Sequence, residues 1–285
     1  MKICSLIPTF KKNFLIILLS SAVIVLPGLR ASAQFYYPDS VEYQTPEKHG
    51  LKYESVTFKS KDGTKLHGWF VPAVGKAIAT VIHFHGNAQN LSSHFSFVRW
   101  LPEKGFNLFV FDYRGYGKSE GKPDREGVHE DGVAALNYIR ARKDIDPDKL
   151  FVFGQSLGGA VAIRAIADAG ASGIRAVVLE STFDSYTAIA KEKAPDLLAS
   201  LFISDKLSPD DVIADLSPVP MLFIHGTSDR IVPYARGKRL FDLAKEPKEL
   251  WTIKNGRHTE AFTTYVSIYQ PKLVEFFKQC LKQKS

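Results

Sequence analysis

Six short apolar runs punctuate this chain: Ala79 to Phe84, Asn107 to Phe111, Leu150 to Phe153, Ala176 to Leu179, Met221 to Ile224 and Leu250 to Ile253. Longer amphipathic stretches separate them. A strand that is apolar at nearly every residue has to be covered on both faces, and a parallel sheet with helices on each side provides that cover. The intervening stretches supply the helices. Val128, Ala135, Leu136 and Ile139 fall on one helical face, as do Gly237, Leu240, Phe241 and Ala244, and then Leu273, Phe276, Phe277 and Cys280. Leu157 to Ala167 is apolar almost all round apart from Arg164, which predicts a helix buried on most sides. Ahead of this alternation, Tyr53 to Lys59 and Leu66 to Val71 flank Lys61-Asp62-Gly63-Thr64, whose Asp-Gly is a turn signal, so an antiparallel hairpin is expected there. The fold class read from the pattern is α/β: a mostly parallel central sheet, an N-terminal hairpin and helices on both faces.

Residues 1–33 differ in kind. Lys2, Lys11 and Lys12 precede an apolar run from Phe14 to Leu26, and Ala31-Ser32-Ala33 offers the small residues that a signal peptidase reads. A signal peptide cleaved before Gln34 is expected, and with it a periplasmic or secreted location. An uncleaved inner-membrane anchor is the alternative, although the run is short for a span of about 20 apolar residues and ends at Pro27-Gly28. Cleavage lowers the formal net charge from +7 to +3, too mild a balance to indicate a nucleic-acid partner. Cys4 leaves with the signal, and Cys280 alone closes no intramolecular disulfide, so the remaining domain, 34–285, must stand on its core. Cys280 reads as a small apolar side chain in a terminal helix. Residues 183–219 break the alternation and carry Leu197, Leu198, Leu201 and Phe202 among several Pro and Asp residues. They read as a small lid or, equally, as a connecting loop with one packed helix.

The sharpest local signal is Gly154-Gln155-Ser156-Leu157-Gly158-Gly159, where a buried strand ends and the apolar helix begins. Glycines on both sides let the backbone turn sharply and project Oγ of Ser156 at the carboxyl end of the sheet. A serine at that junction can also merely cap the helix. A hydroxyl is a poor nucleophile near neutral pH and needs an imidazole base. Of eight histidines, His258 is best placed, in the loop Asn255-Gly256-Arg257-His258 after the last strand. His49, His67, His94 and His129 fall outside the Ser, acid, His chain order and read as surface or turn residues. His83, His85 and His225 lie at strand ends. Without an accompanying zinc motif they read as structural hydrogen-bonding residues, and no metal or cofactor is expected. The acid that orients the imidazole should lie in a loop after an earlier strand. Asp229 in His225-Gly226-Thr227-Ser228-Asp229 fits, with Asp184 as rival and helix capping before Pro233 as the plain alternative. Oxyanion donors are expected from the Leu157 N–H and the Asn87 N–H, with Ala88 as a substitute for the latter.

These segments, HFHGNAQN, DYRGYGKSEG, GQSLGG, HGTSDRIVP and NGRH, occur in this order and resemble α/β-hydrolase domain serine hydrolases, a group with acyl-protein thioesterase-like and prolyl-oligopeptidase-like members. The resemblance covers most of residues 51–281. It implies Ser156, Asp229 and His258 as a triad, and a structural role for Asp112 and Arg114 in a turn that floors the active site. Two departures stand out. Arg257 and Thr259 flank His258 where many relatives have Gly before and Asn or Asp after, and Gln89 stands where relatives often have a second Gly. The expected activity is hydrolysis of a small carboxylic ester or thioester, with a serine peptidase or a non-catalytic exported binding protein as alternatives.

Overall fold

The computed structural model describes residues 35–192 and 203–283. The expected signal peptide, and Leu197, Leu198, Leu201 and Phe202 of the expected lid, lie outside the described residues. In chain order the regular elements are β1 (Tyr37–Pro38), β2 (Glu54–Lys59), β3 (Lys65–Val71), β4 (Ala79–Phe84), β5 (Ala88–Gln89), α1 (Leu91–Val98), β6 (Phe106–Phe111), α2 (Arg125–Ala141), β7 (Leu150–Gln155), α3 (Leu157–Ala169), β8 (Ile174–Glu180), α4 (Tyr186–Lys191), β9 (Met221–Gly226), α5 (Tyr234–Leu243), β10 (Lys248–Ile253) and α6 (Val266–Lys282). Short 3-10 turns complete the connections. Among the described residues no helix is long and apolar enough to cross a membrane.

One sheet carries the strands in the order β10-β9-β8-β7-β4-β6-β3-β2. Strands β2 and β3 form the antiparallel hairpin, with Val56 opposite Gly68, and β3 runs antiparallel to β6. Every other neighbour is parallel. Residue alternation distributes each apolar run between two cores. Ile82, Phe84, Val152, Val177, Leu179 and Phe223 face one core, which α2, α3 and α5 cover with Val128, Leu136, Ile163 and Leu240. Val81, Phe151, Phe153, Val178, Leu222 and Ile224 face the other, which α1 and α6 cover with Phe95, Leu273 and Phe277. The three amphipathic faces read from the sequence are the ones that pack, and Cys280 is buried among them. Burial raises its thiol to about 11, which fits the apolar reading.

The segment after residue 34 joins the fold through a second, two-stranded sheet: Tyr36 is 5% exposed, and β1 pairs in parallel with β5, Tyr37 against Ala88 and Pro38 against Gln89. Two-residue strands carry too little pattern to be read from sequence. In the described part of 183–219, Phe183, Tyr186, Ile189, Ile213 and Leu216 are buried in the core under α3.

Candidate active site

The turn between β7 and α3 is set by close approach. A Cβ on Gly158 would lie 2.1 Å from the Phe84 carbonyl oxygen, and one on Gly154 would lie 2.5 Å from Cα of Gly159. Glycine at both positions lets α3 start directly against the ends of β4 and β7. Ser156 sits at the apex with φ 53° and ψ −121°, a conformation that costs a non-glycine residue roughly 1–3 kcal/mol. Its N–H donates to the Glu180 carbonyl at 2.8 Å. Its side chain makes no capping bond to α3, which removes the plain alternative of a serine that only caps the helix.

Asp229 lies in the loop after β9 and divides its two oxygens. Oδ1 accepts the N–H groups of Ile231 and Val232, each at 2.9 Å, which fixes the loop. Oδ2 accepts from Nδ1 of His258 at 2.8 Å and lies 3.5 Å from Nε2 of His225. The helix α5 begins beyond Pro233 with no side-chain cap, so Asp229 is not its capping residue. Burial alone would raise the Asp229 carboxyl. Hydrogen bonds from His225, His258 and Val232 outweigh it and hold the group well below the usual carboxylate range. An ionised Asp229 offers only lone pairs, so the neutral His258 ring carries its proton on Nδ1 and leaves Nε2 bare as a base. Asp184, the rival acid, is held instead by Arg239 at 3.1 Å and Arg236 at 3.4 Å.

The loop after β4 is fixed from behind through its carbonyls. Tyr113 Oη donates to the His85 carbonyl at 3.1 Å, Nδ1 of His85 to that of Gly86 at 2.7 Å, and Tyr116 Oη to that of Asn87 at 2.8 Å. The Asn87 carbonyl also accepts the Tyr37 N–H at 2.8 Å. The Ala88 carbonyl takes Nε2–H of His94 at 3.0 Å. Among the described residues no carbonyl accepts from the Asn87 N–H. The Leu157 N–H belongs to the first turn of α3, where main-chain donors have no intrahelical acceptor. Gly86 borders Ser156, whose Cβ lies 3.8 Å from where a Gly86 Cβ would stand. The tyrosines come from the Asp112–Gly121 turn, so that turn does floor the site. Within it Asp112 accepts the Leu91 N–H at 2.7 Å, and Arg114 pairs with Asp131 at 2.8 Å.

The structure corrects the reading of the early histidines. His67 and His129 are buried, and His94 packs against the site, stacked on Phe97 and His85. Nδ1 of His94 is closed off from solvent. Burial lowers its imidazole to about 4, with His258 adding to the shift, so near neutral pH the ring is uncharged. No local sequence signal marks it, because its burial depends on where α1 lies against Gly86. The strand-end histidines bond to protein groups: His83 to Gln155 at 2.9 Å, His85 to Gly86, and His225 to the Val232 carbonyl at 2.9 Å. Among the described residues no group of three or more His, Cys, Asp or Glu could hold a metal ion.

Comparison with known proteins fits this fold. The profile of the α/β hydrolase fold matches residues 79–202. The α/β hydrolase domain-containing protein WAV2 of Arabidopsis thaliana is 31% identical, over 92% of this chain and 87% of its own length. This chain belongs to the α/β-hydrolase family. The protein YfhR of Salmonella typhi is 42% identical to this hydrolase, over 96% of this chain and 97% of its own. An esterase of Pyrococcus furiosus superposes with a TM-score of 0.71 at 22% identity, covering 86% of this chain and 98% of the esterase, a likeness that shows the fold.

In this α/β hydrolase the strained backbone gathers in the site loops. Non-glycine residues with positive φ are Gln89 at 64°, Ser156 at 53°, Ser181 at 54°, Leu207 at 65°, Asn255 at 59° and Thr259 at 53°. All but Leu207 lie in the loops that carry Asn87, Ser156 and His258 or in the β8 end between them. Such strain persists only where the surroundings over-determine it, and it collects at functional sites. Two of the departures from the family pattern fall on such positions: Gln89 and Thr259 occupy left-handed conformations that Gly, Asn or Asp would adopt at lower cost, while nothing in the structure explains Arg257.

Proposed function

We propose that this hydrolase is an exported serine hydrolase that cleaves a small carboxylic ester or thioester through an acyl-enzyme on Ser156. The observations that carry the reading are the Asp229–His258 hydrogen bond and a serine held in a strained, non-capping conformation at the strand–helix turn. Oγ of Ser156 attacks the substrate carbonyl carbon and its proton passes to Nε2 of His258. Asp229 fixes the ring and stabilises the imidazolium. The N–H groups of Leu157 and Asn87 hold the oxyanion, each worth on the order of 3 kcal/mol. Collapse expels the alcohol or thiol, which takes the proton from His258. Water activated by the same imidazole then releases the acid.

Among the described residues Ser156 Oγ has no hydrogen-bond partner, consistent with a nucleophile–base contact that tightens only with substrate bound. Cleavage before Gln34 leaves β1 intact and the mature domain complete for this chemistry. Export and the lid role of 183–219 stand with the same proposal. A panel of short- and long-chain acyl esters, thioesters and peptides tests the substrate class. Turnover of esters or thioesters is expected, and turnover of peptides alone would overturn it.

A further inference from the structure

At the carboxyl end of β8, Glu180 touches both halves of the candidate site. Its carbonyl accepts the Ser156 N–H at 2.8 Å. Its side chain reaches the other way: Oε1 accepts the Ala261 N–H at 3.0 Å, three residues past His258. The next residue repeats the pattern, with Ser181 Oγ accepting the Thr259 N–H at 3.1 Å. Glu180 is 1% exposed, and so is Gln155, whose Nε2 donates to Glu180 Oε2 at 2.6 Å. Gln155 Oε1 in turn faces Nε2 of His83 at 2.9 Å.

With Glu180 ionised, these groups admit one arrangement of protons. A carboxylate has only acceptors, so the Gln155 amide must turn its NH2 toward Glu180 and its oxygen toward His83, which then carries hydrogen on Nε2. We infer that Glu180 is a positioning residue for hydrolysis, a buried carboxylate that locks the histidine loop to the nucleophile turn. The inference rests on the serine-hydrolase reading above and names a residue outside the triad and the oxyanion donors. Burial raises this carboxyl to about 7 against the hydrogen bonds of Gln155 and Ala261, which favour the charged form.

Glu180→Gln keeps the shape and removes the ionised acceptor. With Oε1 still on the Ala261 N–H, the new amide points NH2 at NH2 of Gln155. Turning Gln155 relieves that clash only if His83 also moves its hydrogen from Nε2 to Nδ1, so the variant resets the proton arrangement of the whole string. Exchanging the two residues, Gln155→Glu with Glu180→Gln, restores every donor and acceptor. Steady-state kinetics on an acyl ester, run beside wild type and Ser156→Ala, reads the difference. Glu180→Gln should lower kcat about ten- to a hundred-fold with KM within about twofold, as expected for a misplaced catalytic group, and the exchanged pair should recover most of the loss.

A Glu180→Gln enzyme with full kcat, or an exchanged pair as impaired as the single variant, would overturn the inference while leaving the serine mechanism standing. A wild type without Ser156-dependent turnover would remove both. Amide hydrogen exchange of the wild type needs no variant. The Ala261 N–H should exchange more slowly than the Thr263 N–H in the same loop, and equally fast exchange would contradict the tie.

Discussion

Oδ2 of Asp229 lies 2.8 Å from Nδ1 of His258, across 29 residues of chain and from a loop that Asp229 itself braces through its other oxygen. One carboxylate therefore both shapes the loop after β9 and sets the tautomer of the ring. The two functions separate under mutation.

Asp229→Asn keeps the shape but can present its amide NH2 to His258 and so favour the wrong tautomer. kcat should fall about 10³- to 10⁴-fold with little change in KM. Kinetics on an acyl ester measures this, and a loss below about tenfold would count against the ring-orienting role.

The main chain of the N-terminal segment holds the loop that carries Asn87, since the Tyr37 N–H reaches the Asn87 carbonyl while the Tyr37 side chain is 57% exposed. Tyr37→Pro deletes that donor, whereas Tyr37→Ala keeps it and reports the side-chain contribution. The proline variant should lose about tenfold in kcat beyond the alanine variant, less than the 10²- to 10³-fold of losing an oxyanion donor outright. Equal losses in the two would show that the strand pairing does not set the loop.

Thr259 is β-branched and sits at φ 53°, where Asn is better tolerated. Thr259→Asn should raise stability by up to about 1 kcal/mol, seen as a thermal midpoint higher by about 2–4 °C. A lower midpoint would mean that the bond from Thr259 Oγ1 to the His258 carbonyl, at 2.9 Å, outweighs the strain.

Much of this architecture is written in the sequence pattern. Phe153 and Val152 are neighbours in one apolar run because they face opposite cores, and that requirement makes the parallel sheet readable. The candidate triad is proposed for a related reason, since Ser156, Asp229 and His258 each follow a recognisable strand. What pattern does not carry is contact between distant polar groups. Nothing local marks Tyr37 as the partner of Asn87 or Glu180 as the partner of Ala261, because a single hydrogen bond imposes no periodicity. His94 escapes for the same reason, as its burial depends on where α1 lies against Gly86.

Proton linkage tests the electrostatics of Glu180. Facing it are Gln155 and His83 from β7 and β4, His225 from β9 and Asp229 beyond it. Its folded pKa, raised to about 7, exceeds the unfolded value near 4.3, so the folded state binds the extra proton between them. Its contribution is therefore fully present below the unfolded value and lost as pH rises toward 7. Glu180→Gln removes that dependence. Urea unfolding at pH 5.0 and 7.5 should show the variant losing about 2–3 kcal/mol more than wild type on acidification. Identical pH dependences would contradict the raised pKa.

The most direct test of the central claim is covalent labelling of the full chain with a fluorophosphonate probe, followed by mass spectrometry of the modified peptide. The account predicts one adduct, on Ser156, absent from Ser156→Ala and strongly slowed in His258→Ala. Labelling that survives the loss of the Ser156 hydroxyl, or a wild type that never reacts, would contradict it.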